Sequence, residues 1–314
     1  MFCITCLFLV YNLERNDLKL LLIYNLHAGH KKAGKIFNKI KTRFVEKGIE
    51  LDVKLTEYRW HGIELVKNSD LQKYDGVIAA GGDGTLFEVI NGYYQNRGSG
   101  KPPIGLLPMG TGNAFARDLD LRTFEWEKAI NIICSGKTRK VDVAQFSTEG
   151  KIFYYLNILG LGFVADVGVT AHPLKFLGNF AYTVGVFYQM VFLKTFKIEI
   201  KLDGKNYERE NIFVEISNTR WTGSTFLMAP EAEIDDGFLD VILLNKVSRR
   251  KLLRLFPTIF NGTHVNMDEV EAFKARKITI HSNIPKILAP DGELAGSTPV
   301  EIECLHQAIE VFCP

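Results

Sequence analysis

A carboxylate set inside a run of glycines is the feature of this chain with the plainest chemical meaning. Gly81-Gly82-Asp83-Gly84-Thr85 follows the apolar residues 76–80, where a buried strand would hand over to a helix. Glycines leave backbone N–H groups uncovered, so a polyphosphate can approach the main chain. The helix predicted from Thr85 to about Tyr94 offers its positive N-terminal end to the same anion. Asp83 would repel a bare phosphate, so its presence implies a bound cation or a proton to be moved. That combination points to phosphoryl transfer; the plain alternative is a βα turn with an Asp near the helix start. A second glycine turn, Pro108-Met109-Gly110-Thr111-Gly112-Asn113, follows the apolar run 104–107 and opens another helix. In open α/β sheets the C-terminal strand ends share one edge, so both turns would face one crevice.

The elements that must hold these turns follow from pattern. Strands at 18–24, 50–55, 76–80 and 104–107 alternate with helices at 33–47, 61–68, from 85 and from 113. Such alternation predicts a doubly wound parallel sheet covered on both faces. From about residue 140 the pattern turns to β, with runs at 141–144, 153–158, 196–202, 211–217, 239–244, 275–281 and 286–288. A long helix over 174–193 and a shorter one near 248–260 interrupt them. The expectation is α/β plus β: a first domain over 18–138 and a β-sandwich domain with a long helix over 139–304.

A chain of 314 residues has room for two such domains, and 46% hydrophobic with 24% charged residues is a globular composition. The net charge of +2 selects no partner, but residues 31–47 carry Lys31, Lys32, Lys35, Lys39, Lys41, Arg43 and Lys47 against Glu46 alone. That is a solvated helix face or a patch toward anionic lipid, at about 1 kcal/mol per basic residue near a membrane. No nucleic-acid motif accompanies it, so nucleic acid is not expected as a partner. The cysteines (Cys3, Cys6, Cys134, Cys304, Cys313) are odd in number, which fits a reduced, cytoplasmic compartment. Residues 1–11 lack a basic start and a small-residue cleavage site, and read as an extension before the first strand. Residues 176–193 carry no charge but contain Gly178, Asn179 and Gln189, and read as a buried helix rather than a membrane span.

Four pieces in order resemble the diacylglycerol kinase catalytic domain family, which includes bacterial lipid kinases, sphingosine kinases and ceramide kinases. They are GGDGTLFEVING (81–92), PMGTGNAFARDL (108–119), AEIDDGFLDV (232–241) and DGE (291–293) before a final apolar strand. GGDGT alone is also similar to nicotinamide-dinucleotide kinases and phosphofructokinases; the other pieces make the resemblance specific. It implies an ATP- and Mg²⁺-dependent kinase acting on a lipid hydroxyl, diacylglycerol foremost, or a sphingoid base or ceramide. It also implies that the first domain binds ATP and is completed by 305–314, and that the second takes the lipid.

Residue by residue, the resemblance implies the following. Gly81, Gly82, Gly84 and Thr85 cradle the ATP phosphates, with Gly110, Thr111 and Asn113 on the other side. Asn25 and Gly29 match a nucleotide loop in which Leu26 replaces the family's Pro, and Thr56 matches a further nucleotide contact. Asp83 would hold the catalytic Mg²⁺, directly or through water. Glu293 resembles the family's general base, while sphingosine kinases are argued to use the equivalent of Asp83, so both stay open. Asp236, with the backbone carbonyls of Glu233 and Phe238, matches a second, structural Mg²⁺ site of oxygen ligands, or is only an acidic turn. Ala114 stands where bacterial diacylglycerol kinases carry Asp. Residues 162–167 are similar to the sphingosine-kinase acceptor region, but Gly168 replaces the Asp that holds the sphingoid amine. Asp166 is the remaining candidate for the acceptor headgroup, and the 176–193 helix for a wall of the acyl pocket.

Three rivals remain. Residues 29–35 fit GxxxxGK, but Ile36 follows, with no hydroxyl for Mg²⁺. A nicotinamide-dinucleotide kinase would share GGDGT and the two-domain plan. A non-catalytic lipid-binding protein would be expected to have lost the carboxylates, yet Asp83 and Glu293 are present. The expected setting is cytoplasmic with peripheral contact to an anionic membrane, and a homodimer is left open.

Overall fold

Leu20, Leu21, Leu22 and Ile23 are all fully buried, which a strand achieves only when both its faces are covered. In the computed structural model, which describes residues 18–163 and 194–314, they form β1 (Lys19–Tyr24). β1 lies between β2 (Glu50–Leu55) and β3 (Gly76–Gly81), and β4 (Ile104–Pro108) joins β3, all in parallel. Helices α1 (Lys32–Glu46), α2 (His61–Lys67), α3 (Asp83–Gln95), α4 (Ala114–Asp118) and α5 (Trp126–Ser135) cover the two faces. Alternation along β1 sorts them. Leu21 and Ile23 share a core with Val89 and Ile90 of α3, whereas Leu20 and Leu22 share one with Ile40 and Phe44 of α1. α3 starts at Asp83, earlier than the predicted Thr85, because the extended Gly82 serves as its cap. The carboxylate therefore sits in the first helical turn, at the positive end of the dipole.

The remaining strands are β5 (Thr138–Thr148), β6 (Lys151–Tyr155), β7 (Ile158–Gly162), β8 (Phe196–Leu202), β9 (Lys205–Ser217), β10 (Leu239–Asn245), β11 (Val270–Ala275), β12 (Lys277–Ser282), β13 (Leu288–Pro290) and β14 (Val300–Phe312). With one another they are paired antiparallel, and α6 (Arg249–Leu255) runs into a 3-10 turn, Phe256–Phe260. Val214 and Ile216 of β9 join one core with Val241 and Leu243, while Phe213 joins another with Ile242 and Leu244. Two predicted strands are each broken in two. The run 153–158 splits into β6 and β7 because the N–H groups of Leu156, Asn157 and Ile158 turn to the Asp291 carboxylate. The run 275–281 splits at Arg276, whose N–H goes to Asp203 Oδ1. The expected helix over 174–193 and Asp166 lie outside the described residues.

β14 joins the two halves. Its first part pairs with β12 and β5; after a register shift between Leu305 and Ile309, Val311 pairs in parallel with Ile104 of β4. The shift is pinned by the buried Asp142, whose Oδ1 accepts from Gln307 N–H at 2.6 Å. One hydrogen-bonded path thus runs β11-β10-β9-β8-β12-β14-β4-β3-β1-β2. The architecture is α/β plus β: a parallel sheet between helices, continuous with a sandwich-like antiparallel part.

Candidate active site

β3 and β4 are adjacent and in register at their ends, with Gly81 opposite Pro108. Their exits therefore leave the sheet side by side. Met109 N–H and Gly110 N–H both donate to Gly81 O, at 2.7 and 3.0 Å. A Cβ on Gly82 would stand 3.0 Å from Gly110 Cα, and one on Gly110 only 2.3 Å from Gly82 Cα. The two glycine turns touch backbone to backbone, so glycine at 82 and 110 is a matter of space.

Asp83 lies beneath this contact. Its Oδ1 accepts from Ala114 N–H at 2.8 Å and from Asn157 Nδ2 at 3.4 Å, so the first turn of α3 grips the start of α4. Burial pushes its carboxyl up to about 6, against the pull of those donors. Asp291, at a positive φ of 48° after β13, accepts from Asn157 N–H at 3.0 Å and Ile158 N–H at 3.1 Å. Burial, and then the charge of Asp83, push it up to about 7. Among the described residues no lysine or arginine pairs with either carboxylate; the donors are backbone N–H groups and Asn157 Nδ2.

Glu293 closes the other side. Its Oε2 accepts from Arg59 Nε at 2.9 Å, and its Oε1 would stand 2.6 Å from a Cβ on Gly84. The carboxylate therefore lies over the residue next to Asp83, and its side chain is 29% exposed. Glu88, one turn further along α3, accepts from Trp60 N–H and Gly62 N–H, both at 2.8 Å, and fixes the loop that carries Arg59.

The other expected residues separate into two groups. Asn25 and Thr56 lie at the C-terminal ends of β1 and β2. Asn25 N–H donates to Ala80 O at 2.9 Å and its Nδ2 lies 3.4 Å from Thr85 Oγ1, tying the first loop to the GGDGT turn. Gly29, at φ 58°, packs so closely that a Cβ would meet Met109 O at 2.5 Å. Thr111 is exposed on the second turn. Asn113, expected to meet the nucleotide, is instead spent inside its own loop. It is 4% exposed, accepts from Gly110 N–H, and donates to Gly110 O and Thr123 Oγ1. Both amide hydrogens are used, so its side chain shapes the turn.

The second domain reaches over the second turn. A Cβ on Gly112 would lie 2.4 Å from Asp83 Oδ2 and 3.7 Å from Gly223 Cα. Gly223 belongs to a hairpin closed by the Thr222–Phe226 bridge, and Arg117 of α4 stacks on Trp221 at 3.5 Å and donates to Ser224 O. Behind the hairpin, Glu215 of β9 is fully buried. Its Oε1 accepts from Thr222 Oγ1 at 2.6 Å and Ser217 Oγ at 3.2 Å, while Oε2 has no partner. Burial pushes this carboxyl up to about 7. Sequence reasoning missed Glu215 and Asn157; a glutamate inside the apolar run 211–217 was the signal for the first.

The expected second cation site is filled differently. Asp236 Oδ1 accepts from Phe238 N–H at 2.9 Å, and Oδ2 pairs with Lys274 Nζ at 2.7 Å. Lys274 also lies 3.3 Å from Asp240 Oδ2 and 3.1 Å from Glu231 O. An ammonium thus stands in the acidic turn and neutralises it, where the resemblance implies a divalent ion. At Asp83 the donors do suit one. Asn157 turns its Nδ2 to that carboxylate, and its Oδ1 is a buried oxygen without a hydrogen-bond partner; oxygen-only ligation is what Mg²⁺ takes. Among the described residues no three His, Cys, Asp or Glu side chains gather to cage a metal, so phosphate oxygens would have to complete the shell.

Comparison with known proteins gives the family of the chain. Residues 19–146 match the diacylglycerol kinase catalytic domain, and residues 157–313 match the YegS C-terminal NAD kinase beta sandwich-like domain. The diacylglycerol kinase of Staphylococcus saprophyticus is 30% identical over 295 residues, covering 93% of this chain and 94% of that protein. The sphingosine kinase 1 of Arabidopsis thaliana is 28% identical, covering 93% of this chain and 71% of its own length. A crystal structure of a candidate diacylglycerol kinase from Bacillus anthracis str. Sterne superposes with a TM-score of 0.78 at 26% identity, covering 94% of this chain and 95% of that one. The chain belongs to the diacylglycerol kinase catalytic-domain family and is a lipid kinase of that family.

Proposed function

We propose that this protein transfers the γ-phosphoryl group of ATP to a hydroxyl of a membrane lipid, with diacylglycerol as the first candidate acceptor. One observation carries this reading: the two glycine turns touch over Asp83, and Glu293 Oε1 lies across Gly84 from them. Exposed N–H groups of the turns and the start of α3 bind the phosphates. Asn25, Gly29, Thr56 and Thr111 line the nucleotide side, and Asn113 holds the second turn in shape. Asp83 and Asn157 Oδ1 would hold Mg²⁺, which supplies charge neutralisation at the phosphates when bound.

Glu293 is the base in this reading, because Asp83 Oδ1 is already held by Ala114 N–H and Asn157 Nδ2, while Glu293 Oε1 lies across Gly84 from them. Arg59 orients it. The lipid hydroxyl gives its proton to the Glu293 carboxylate as its oxygen bonds to the γ-phosphorus. The bond from that phosphorus to the bridging oxygen breaks, and ADP leaves with the electron pair. Asp291 takes no proton from substrate; its hydrogen bonds to the 156–158 backbone fix Asn157 against Asp83.

A sphingoid base is the second acceptor, favoured by Glu215. Its unpartnered Oε2 behind the Thr222–Phe226 hairpin is a place for an ammonium or hydroxyl donor. Transfer of label from γ-labelled ATP to a total lipid extract, compared between wild type and Asp83→Asn, tests the reaction. Absence of any labelled lipid with the wild type would overturn it, and the mobility of a product separates the two acceptors. Among the described residues no helix is long and apolar enough to cross a membrane.

A further inference from the structure

Two large apolar side chains stand in water among unpaired arginines at one end of the second domain. α6 and the turn after it bury Leu252, Leu255 and Ile259 against Ile242 and Leu244. The opposite face carries Arg250, Leu253, Arg254 and Pro257, spaced i, i+3, i+4 and i+7 as one helical stripe. Leu253 is 51% exposed and Phe260, at the end of the turn, 48%. Arg249, Arg250 and Arg254 are exposed, and none of them makes an ion pair among the described residues. Their neighbours Lys246 and Lys251 are paired, with Glu210 and Glu269. Phe260 is propped outward by edge contacts to Phe226 and Phe256, at 5.2 and 5.9 Å between ring centres.

From this arrangement, and resting on the lipid-acceptor reading above, we infer that the Arg249–Phe260 face seats the protein on an anionic bilayer. Exposed Leu and Phe side chains flanked by arginines are the composition of an interfacial anchor: rings and methyls enter the headgroup layer while guanidinium groups meet phosphates. A second copy of the chain is the poorer occupant, since three unpaired positive charges would face their own kind. The face is also wired to the catalytic turns. Phe226 packs on it, and the hairpin that Phe226 closes places Gly223 against Gly112 and Ser224 on Arg117. Docking therefore fixes the hairpin from outside while the second glycine turn fixes it from inside. The lysine row of α1 has no comparably exposed ring: Phe37 is half-buried beneath Lys41, and Val45 is its exposed apolar residue.

The test uses the full chain and vesicles that are either pure phosphatidylcholine or equimolar phosphatidylglycerol and phosphatidylcholine. Wild type is expected to sediment with the anionic vesicles and not the neutral ones. Each arginine lost should weaken binding about fivefold, so the triple Ala variant at 249, 250 and 254 should lose roughly a hundredfold. Leu253→Ser with Phe260→Ser should also weaken binding, with the salt dependence unchanged. The Lys35→Ala, Lys39→Ala, Lys41→Ala variant of α1 should bind within about threefold of wild type if those lysines lie away from the bilayer. Binding by the arginine variant equal to wild type, or loss of binding in the α1 variant instead, would overturn the assignment. So would a change of oligomeric state in the arginine variant with vesicle binding intact, which would give the face to a second copy. Phosphorylation of dioctanoylglycerol in neutral detergent micelles separates this inference from the activity. The arginine variant should match wild type there. Vesicle binding without any lipid phosphorylation would sink the acceptor reading and leave the docking face standing; micellar activity without vesicle binding would do the reverse.

Discussion

Asp83 with Asp291, and Asp236 with Asp240, are both pairs of neighbouring carboxyls, the first joined from α3 and the loop after β13, the second carried by one stretch that enters β10. In the second pair the chain supplies its own counter-charge, Lys274 from β11. Asp240 is still pushed up to about 6 by burial, with Lys274 pulling the other way. In the first pair N–H dipoles answer the carboxyls; burial pushes Asp83 up to about 6, and burial with the charge of Asp83 pushes Asp291 up to about 7. Acidic residues in a turn are thus poor evidence for a cation site until their neighbours are known. What marks the Asp83 cluster is charge demand left open at the mouth of two bare-backbone turns.

The largest expected effect tests the open cluster. Asp83→Asn should lower kcat by about a hundred- to a thousandfold, the loss found when one preorganised electrostatic partner is removed. A loss under tenfold, in steady-state label transfer, would break the comparison at its stronger end. Next comes Glu215, a third buried carboxyl with no charged partner. Its folded-state value of about 7 lies above the ordinary 4.5, so the folded protein holds this proton more tightly than the unfolded chain. The stability it contributes is full below pH 4.5 and is lost as pH rises through about 7, by about 3 kcal/mol. Urea unfolding should therefore find Glu215→Gln more stable than wild type at alkaline pH and level with it in acid; equal curves at both ends would refute the burial argument. Lys274→Met should cost about 2 kcal/mol by leaving Asp236 and Asp240 without their ammonium. Added Ca²⁺ or Mg²⁺ should then raise the melting temperature of this variant and not of wild type. Asp236→Asn is expected to change turnover by no more than about twofold, since its partner pair is partly exposed; a hundredfold loss would return the structural cation site to that turn.

Much of the site was legible because glycine runs and strand ends are local signals. The two turns, Asp83 and the loops at Asn25 and Thr56 all follow from residues near one another in the chain. What escaped were partnerships across long separations. Asp291 stood in the DGE piece, but its hold on Asn157 spans 134 residues, and it is this hold that breaks the predicted 153–158 strand. Lys274 reaches Asp236 across 38 residues, so the turn at 232–241 looked like a vacant ligand set. The family resemblance sets Asn113 toward the nucleotide; its own Gly110 and Thr123 claim it first.

β14 carries one further consequence, for the order in which the molecule can be made. Its final residues hydrogen-bond to β4, whose partner on the other side is β3, so the parallel sheet keeps an unfilled edge until Val311 has been translated. A nascent first half leaving the ribosome presents Ile104 to Pro108 as an open strand rim, able to pair with the wrong chain. Slowing synthesis within the second half should accordingly favour aggregation, and supplying the 300–312 peptide in trans should suppress it.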